Sequence, residues 1–289
     1  AYNYLYTPRE KGFKYWFYKR LAKEPVLISK VQPSLRAKVA EQALENHGYF
    51  GSRAADTLLY RKRGRKARVS YRLRVAPPWH YEGIAYPTAG SALQPLLDSL
   101  RSTSLLREGA QYNLDTLTLE RRRMAQSLRE RGYYYFRPEY LEYQADTTLS
   151  PRGVALRLNL KSDAPAVALK PYRVGKVTVR LTDPKPGRPD TLRLRGAEVI
   201  AQRPMRIRPR LLSRALTLER GELFTVGAQD RTLTNLNKLG VFRSVSLNVA
   251  PVDSLRGSDT LDVGIDARFD YPLEAALETD VTSKSNSFL

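Results

Sequence analysis

The sequence predicts an α+β fold built from tandem modules, each with the order strand, helix, helix, strand, strand. First, a helical apolar pattern ends in Gly and an aromatic residue at three places. Second, each glycine is followed by two alternating apolar runs, the second of which ends about 27 residues later. The three closures are Glu45–Phe50, Glu130–Tyr134 and Lys238–Phe242. Repetition at this spacing indicates an array of modules rather than one enzyme core.

A helix with a glycine C-cap is predicted before each closure. Apolar residues at or near helical spacing precede two of the glycines: Leu117, Met124 and Leu128, then Val226, Leu233, Leu236 and Leu239. Gly48, Gly132 and Gly240 are therefore expected to end helices in the left-handed conformation, which needs no ligand. His47 is expected at a helix C-terminus, favoured by the dipole, and His80 is expected to be structural.

Strands are predicted on both sides of the helices. In the third copy, alternation predicts a hairpin from Val245–Val249 and Leu261–Ile265 around a polar turn. First strands are predicted at Tyr81–Ala85 and Val174–Leu181, each followed by an apolar helix near residues 93–100 or 211–216. Asp262 and Asp266 alternate with apolar residues, so we expect them on the solvent face and not as an acid–base pair.

This module pattern resembles the polypeptide-transport-associated (POTRA) domain. The stretch ERGELFTVGAQDRTLTNLNKLGVFRSVSLNV resembles the POTRA pattern along its full length, and REGAQYNLDTLTLERRRMAQSLRERGYYYF is similar with a longer helix. The resemblance covers nearly all of the chain. It implies a first module over 1–78 that is incomplete at its N-terminus, a second over 79–171, a barrel-proximal third over 172–270, and a linker or first barrel strand over 271–289.

The resemblance also implies a function and a location. Residues Leu273–Val281 resemble the opening strand of the barrel that follows POTRA arrays in the BamA/TamA family, and YWFYKRLAKEPVLIS is most similar to TamA-like lipoproteins. This implies the periplasmic side of the bacterial outer membrane. The expected role is insertion, folding or translocation of outer-membrane proteins, without catalysis. The implied partners are unfolded outer-membrane proteins, the protein's own C-terminal barrel, and a periplasm-spanning accessory protein that is acidic where it docks.

Two other functional classes remain open from the residues. The net charge of +20 also suits a soluble scaffold of α/β repeats that binds polyanions or nucleic acid. No nucleic-acid reader motif is present, so nucleic acid is not expected as the partner. A two-partner secretion or chloroplast-type transporter also carries POTRA modules, usually fewer of them.

Composition excludes several kinds of chemistry. The chain has no cysteine and only two histidines, which excludes disulfides and thiolate catalysis and argues against a histidine-rich metal site. No catalytic constellation is found, and no cofactor is expected. No uncharged apolar run approaches the roughly 18 residues that a membrane helix needs.

Positive charge is concentrated at the N-terminal end. Residues 1–78 hold 18 basic and 5 acidic side chains, a net charge of +13. The densest run is predicted at the hairpin turn of the first module. It is interpreted either as a solvated turn or as a docking patch for an anionic partner or membrane surface. The patch residues are Arg61, Lys62, Arg63, Arg65 and Lys66. Arg121–Arg123 are expected to form a solvated stripe on a helix.

Aromatic residues cluster near the N-terminus: Tyr2, Tyr4, Tyr6, Phe13, Tyr15, Trp16, Phe17 and Tyr18. The favoured interpretation is that these rings complete the core of the incomplete first module. The alternative is an exposed arm for a partner or a membrane interface.

The second strand of each module is the predicted binding site, because POTRA domains usually expose this strand at the sheet edge. An extended segment can pair with such an edge through backbone hydrogen bonds. The candidate residues are Thr57, Leu58, Leu59, Tyr60, Tyr140, Leu141, Glu142, Tyr143, Val245, Ser246, Leu247, Asn248 and Val249. The third module inserts a Pro/Gly-rich stretch, Asp183–Asp190, and a strand-like Thr191–Arg195, which predict that the first strand extends into an added hairpin.

Overall fold

The computed structural model describes residues 13, 15–16, 28–61, 66–86, 93–184, 187–194, 196–203, 205–252 and 258–270. The chain divides into two compact units. One comprises Ala1–Ala85, Leu105–Leu119 and Gln144–Arg157, and the other Tyr86–Ser104, Glu120–Tyr143 and Leu158–Leu289. The second predicted module thus contributes to both units. No helix among the described residues has the length and apolar character needed to span a membrane.

The helices come in consecutive pairs, separated by runs of strands. The helices are α1 (Ile28–Val31), α2 (Pro33–Asn46), α3 (Gln94–Arg101), α4 (Leu114–Arg129), α5 (Pro209–Ala215) and α6 (Val226–Lys238). The strands are β1 (Arg53–Arg61), β2 (Lys66–Arg74), β3 (His80–Ala85), β4 (Leu141–Asp146), β5 (Gly153–Leu160), β6 (Arg173–Thr182), β7 (Arg188–Leu194), β8 (Ala197–Arg203), β9 (Phe242–Pro251) and β10 (Thr260–Phe269).

The second and third predicted modules have the same sheet plan. In the second, the strand order is β3-β5-β4, with β3 parallel to β5. In the third, β6 is parallel to β10, and β10 is antiparallel to β9. Each first strand therefore lies beside the third strand, and the second strand forms an edge. This confirms the α+β fold of tandem β-α-α-β-β modules, the arrangement that the resemblance to POTRA domains implied.

Two apolar cores lie inside the second compact unit. One is built on α3, α4 and the adjoining strands, with Met124, Leu128, Leu141 and Leu158 fully buried. The other is built on β6, β8, β10 and the helices of the third module, where alternate strand residues face inward. The helical spacing of Met124 and Leu128 and the period of two in β10 are the patterns that predicted these elements.

The third module differs from the prediction in its added strands. The insertion does form a hairpin, but the hairpin joins β7 to β8 and is not an extension of β6. β8 pairs in parallel with β6, so the five strands run β7-β8-β6-β10-β9. Alternate residues of β8 are buried in the core: Ala197, Val199 and Ala201. The insertion therefore extends the β6 side of the sheet and leaves β9 at the opposite edge.

The first predicted module contains a long hairpin. β1 and β2 pair antiparallel over nine residue pairs, from Arg53 opposite Arg74 to Arg61 opposite Lys66. These are the only strands that the structure describes in residues 1–78. Both strands are largely exposed. The N-terminal aromatics were predicted to be core. Phe13 and Trp16 are instead 77% and 50% exposed, and Tyr15 is half-buried; Tyr2, Tyr4, Tyr6, Phe17 and Tyr18 lie outside the described residues.

The glycines end their helices as predicted. Gly48, Gly132 and Gly240 have φ values of 84°, 93° and 66°, in the left-handed region. In the first two copies, the backbone N–H after the glycine donates back to a carbonyl five residues earlier: Tyr49 to Leu44 at 2.9 Å and Tyr133 to Leu128 at 3.1 Å. This hydrogen bond satisfies a carbonyl that the ending helix leaves free.

The N-terminus of α6 has a side-chain cap. Thr225 is in the extended conformation, and its hydroxyl accepts the backbone N–H of Ala228 at 3.1 Å. We expect Thr225→Ala to lower the free energy of unfolding by about 1 kcal/mol, because this N–H loses its partner. Thr234→Ala, an exposed site within α6, is the matched control and should change it by less than about 0.5 kcal/mol. Urea unfolding of both variants measures the difference; equal losses would contradict a capping role.

Candidate partner-binding surfaces

At two places, one predicted module is connected to the next by the same pattern of backbone hydrogen bonds; we call these places joints. At the first, the carbonyl of Gly48 accepts the N–H of Trp79 at 2.8 Å, and the carbonyl of Trp79 accepts the N–H of Tyr112 at 2.8 Å. At the second, Gly132 accepts from Tyr172 at 2.8 Å, and Tyr172 accepts from Phe224 at 2.9 Å. Each helix-ending glycine is thus tied to the start of the following module. Each joint lies wholly within one compact unit.

Aromatic rings surround both joints. Phe50 contacts the rings of Trp79 and Tyr112 with centroid distances of 5.3 and 5.1 Å. Tyr134, the residue that corresponds to Phe50, contacts Phe224 at 4.9 Å. Ring packing of this kind is stabilising, and it explains why an aromatic residue stands two positions after Gly48 and two positions after Gly132.

A buried tyrosine supports the first joint. The hydroxyl of Tyr81 donates to the carbonyl of Asn113 at 3.2 Å and accepts the Asn113 N–H at 3.1 Å. Burial raises the pKa of Tyr81 above its ordinary value, opposed by the hydrogen bond to Asn113. Burial alone raises the pKa of Tyr112. Both groups therefore stay neutral donors and acceptors across the physiological pH range.

The glycines at the two joints also lack room for a side chain. A Cβ at Gly48 would lie 2.7 Å from the backbone oxygen of Tyr112, and one at Gly132 would lie 2.7 Å from Leu223 Cδ1. At Gly240, nothing among the described residues lies within 4 Å of such a Cβ. The first two glycines therefore serve both the helix end and the joint, and only the first of these two roles was predicted from the sequence.

The candidate residues of the second module lie at and just before an edge strand. β4 forms one edge of its sheet, but it begins at Leu141. Tyr140, predicted as part of this strand, lies instead in a 3₁₀ turn, because Pro138 opens the turn and the N–H of Tyr140 donates to the carbonyl of Arg137. Leu141 is fully buried, so it contributes to the core. Glu142 and Tyr143 are half-buried.

The end of β4 is fixed by a carboxylate. Asp146 accepts the backbone N–H of Thr148 at 2.8 Å and its hydroxyl at 2.7 Å. These two hydrogen bonds lower the pKa of Asp146 below its ordinary value. The local turn limits how far an added strand could extend along this edge.

The candidate residues of the third module lie in the middle of β9. This strand pairs with β10 in regular register from Pro251 to Ser244, and no other strand among the described residues pairs with it. Val245, Leu247 and Val249 are half-buried and pack against the core, while Ser246 and Asn248 alternate with them. Residues 244–250 contain neither proline nor charge.

The opposite edge of the same sheet is protected. β7 carries Arg188, Asp190 and Arg193, and Pro189 has no N–H to donate. Charged side chains and proline on an edge oppose the addition of another strand. β9 is therefore the more receptive edge of this sheet.

The candidate residues of the first module lie in the hairpin. Thr57, Leu58, Leu59 and Tyr60 are exposed residues of β1, which pairs only with β2 among the described strands. Of the basic patch, Arg61 and Lys66 are opposite each other at the ends of the two strands. Lys62, Arg63 and Arg65 lie outside the described residues.

Arg123 is not part of a solvated stripe, contrary to the prediction. Its Nε and Nη2 donate to the two oxygens of the fully buried Glu120 at 2.8 and 2.7 Å. Nη1 donates to the Thr103 hydroxyl at 2.7 Å, and Nη2 to the Leu100 carbonyl at 3.0 Å. The hydrogen bonds to Glu120 raise the pKa of Arg123. Only Arg122 of the three is exposed.

The other candidate polar groups have structural partners. Asp262 accepts the N–H of Lys176 at 2.6 Å, and Asp266 pairs with Arg180 at 3.3 Å. His47 caps α2, as predicted, with Nδ1 2.8 Å from the Ala43 carbonyl. No group of three His, Cys, Asp or Glu side chains suited to a metal ion occurs in the part of the chain that the structure describes.

Comparison with known proteins finds similarity at the level of structure. No family model matches the sequence, and no curated protein matches it. POTRA domains 3–5 of Haemophilus influenzae BamA are 14% identical over 85% of this chain and 81% of theirs, with a TM-score of 0.43. Haemophilus ducreyi BamA lacking POTRA domains 1–3 is 14% identical over 67% of this chain and 30% of its own, with a TM-score of 0.44. CdiB from Acinetobacter baumannii is 13% identical over 86% of this chain and 40% of its own, with a TM-score of 0.26.

Proposed function

We propose that this chain is the periplasmic POTRA array of an outer-membrane barrel protein, and that it assists insertion, folding or translocation of outer-membrane proteins by pairing with their extended strands. The observation that carries the proposal is the β9 edge. It offers about seven residues of regular strand without charge or proline, beside a protected β7 edge. An incoming segment would gain backbone hydrogen bonds there without needing a particular sequence.

The side chains beside β9 favour one kind of client. Val245, Leu247 and Val249 lie at the border of the apolar core and are only half-buried. A client strand with apolar residues at every second position would cover this border with one face and leave the other face in water. Strands of outer-membrane barrels alternate in this way. The proposed client is therefore an unfolded barrel strand.

Photo-crosslinking tests the client site. A photoreactive amino acid at Ser246, on β9, should crosslink an unfolded outer-membrane protein or a peptide from one of its strands. The same amino acid at Asp190, on β7, is the matched control and should give little product, because that edge carries charge and Pro189. Equal crosslinking at the two positions, or none at Ser246, would contradict strand addition at β9.

The finer parts of the proposal rest on the sequence resemblance. The modules are assigned to 1–78, 79–171 and 172–270, with the start of the first barrel strand or a linker in 271–289, and the sub-type is the TamA-like lipoprotein. The basic turn Arg61–Lys66 would dock an accessory protein that is acidic at its docking end. Neutralising Arg61, Lys62, Arg63, Arg65 and Lys66 should weaken such a complex in a salt-dependent way; a salt-insensitive complex would count against it.

A polyanion-binding scaffold is the second candidate function. The density of cations in the first module favours it. This function predicts that the chain binds nucleic acid tightly, that the affinity falls steeply as salt is added, and that client strands do not crosslink at β9.

A further inference from the structure

The register of the first hairpin separates its side chains into two chemically different faces. Cross-strand partners share a face, as do residues two apart along a strand. One face contains Ala54, Leu58, Tyr60, Val69, Tyr71 and Leu73, with Asp56 as its one charge. The other contains six cations and no carboxylate: Arg53, Arg61, Lys66, Arg68, Arg72 and Arg74. We call the second surface the cationic face.

The cationic face is the outer surface of the hairpin. Every residue on it is exposed, including Ala55, Thr57, Leu59 and Ser70 between the cations. The half-buried residues of the hairpin, Ala54, Asp56 and Val69, all belong to the other face. Helix α2 packs against β1, and Glu41 accepts the N–H of Ala54 at 2.7 Å. The cations therefore face away from the module interior.

The positive charges are not neutralised within the described part of the chain. None of the six cations forms an ion pair with a described carboxylate. Two pairs of them stand directly opposite each other, Arg53 with Arg74 and Arg61 with Lys66. Like charges at opposed positions destabilise a sheet, so an anionic layer on this face would relieve repulsion that the hairpin otherwise retains.

We propose that the cationic face is a docking surface for a bilayer rich in anionic phospholipid. Four of the cations lie along β2, and the other two, Arg53 and Arg61, stand at the two ends of β1, about 5 Å from the β2 cations opposite them; together the six span roughly 30 Å. Lipid headgroups rearrange laterally to match such an array, so the site needs no shaped cleft. Five of the six cations are arginines, whose planar guanidinium groups bind phosphate oxygens in pairs.

The composition of the face disfavours the competing anionic partners. It carries no aromatic side chain, whereas surfaces for single-stranded nucleic acid interleave rings with cations for base stacking. An acidic accessory protein at the turn would use only Arg61 and Lys66 of the six cations. The other four, Arg53, Arg68, Arg72 and Arg74, offer a folded protein no buried anchor, because Leu59 is the one large apolar residue between these cations. The proposal does not depend on client binding at β9.

Vesicle flotation with the whole chain tests the proposal. The wild-type chain should bind vesicles of phosphatidylcholine and phosphatidylglycerol, should not bind phosphatidylcholine alone, and should release as salt is added. The variant Arg68→Gln/Arg72→Gln/Arg74→Gln should bind on the order of a hundredfold more weakly, since each cation near anionic headgroups contributes about fivefold. Circular dichroism and urea unfolding confirm that each variant is folded.

A matched variant tests whether vesicle binding depends on the cationic face or only on the net charge of the chain. Arg188→Gln/Arg210→Gln/Arg220→Gln removes the same charge from exposed positions of the third module and should change vesicle affinity by only about twofold. Equal loss in the two triple variants would overturn the proposal. It would also be overturned if the chain ignored anionic vesicles, or if the face bound polyglutamate or duplex DNA more tightly than vesicles at the same salt concentration.

Discussion

Gly48→Ala is expected to lower the free energy of unfolding of the first compact unit by about 3 kcal/mol. A residue with a Cβ in the left-handed conformation costs about 1–2 kcal/mol. At Gly48 the new Cβ would also lie 2.7 Å from the backbone oxygen of Tyr112 and 3.3 Å from that of Trp79. Overpacking of this kind costs about 1–3 kcal/mol more, because the atoms that must move belong to the backbone.

Two other glycines isolate the effect of the joint. Gly51 and Gly240 also have positive φ, of 79° and 66°, but a Cβ at either would meet nothing within 4 Å among the described residues. Gly51→Ala and Gly240→Ala should therefore cost only about 1–2 kcal/mol. Trp79 lies in the joint, and Trp16 is the other tryptophan of the chain. Urea unfolding followed by Trp79 fluorescence in a Trp16→Phe background measures Gly48→Ala and Gly51→Ala, and circular dichroism follows Gly240→Ala, which lies in the other compact unit. Equal losses at Gly48 and Gly51 would contradict the role of Gly48 in the joint.

Patterns within a module were readable from the sequence. The periods of 3.6 in α4 and α6 and of 2 in β9 and β10 placed these elements, because the core imposes them locally. The three helix-ending glycines could also be predicted from the sequence, because the left-handed conformation favours glycine. The repeat then fixed the order of elements.

The joints could not be predicted from these patterns. The hydrogen bond from Trp79 to Gly48 joins residues that are far apart in the chain. It is made by backbone atoms, so it does not require particular side chains that a sequence pattern could show. A weak signal was present, because a proline precedes the aromatic residue at both joints, in Pro78-Trp79 and Pro171-Tyr172. β8 was missed because the Pro/Gly-rich insertion suggested a continuation of β6, and parallel pairing is set by the whole sheet.

The candidate surfaces were predicted in part. Assignment of β4 and β9 to sheet edges followed from the resemblance to POTRA domains, whereas the protected β7 edge required the observed strand order. The cationic face could not be predicted for another reason. Its residues come from two strands, and only the strand register shows that Arg53 lies beside Arg74. The sequence showed the turn cations because they are consecutive.

Arg123→Met is expected to lower the free energy of unfolding of the second compact unit by several kcal/mol, about 3–5. Glu120 is fully buried, and it accepts the hydroxyl of Ser104 at 2.9 Å in addition to the two hydrogen bonds from Arg123. Arg123→Met would leave this carboxylate buried without a counter-charge. Removing one partner of a buried ion pair costs about 3–5 kcal/mol. Arg122→Met, at the exposed neighbouring position, should change the free energy of unfolding by less than about 0.5 kcal/mol.

The paired replacement Glu120→Leu/Arg123→Met distinguishes the worth of the ion pair from the penalty of a lone charge. With both charged groups replaced by apolar ones, the buried carboxylate is gone, so most of the loss seen in Arg123→Met should be recovered. Urea unfolding of the two single variants and the double variant gives the coupling energy. If the double variant were as unstable as Arg123→Met, the hydrogen bonds of Arg123 to Leu100 and Thr103 would be the dominant contribution, because these are the contacts that only the guanidinium makes.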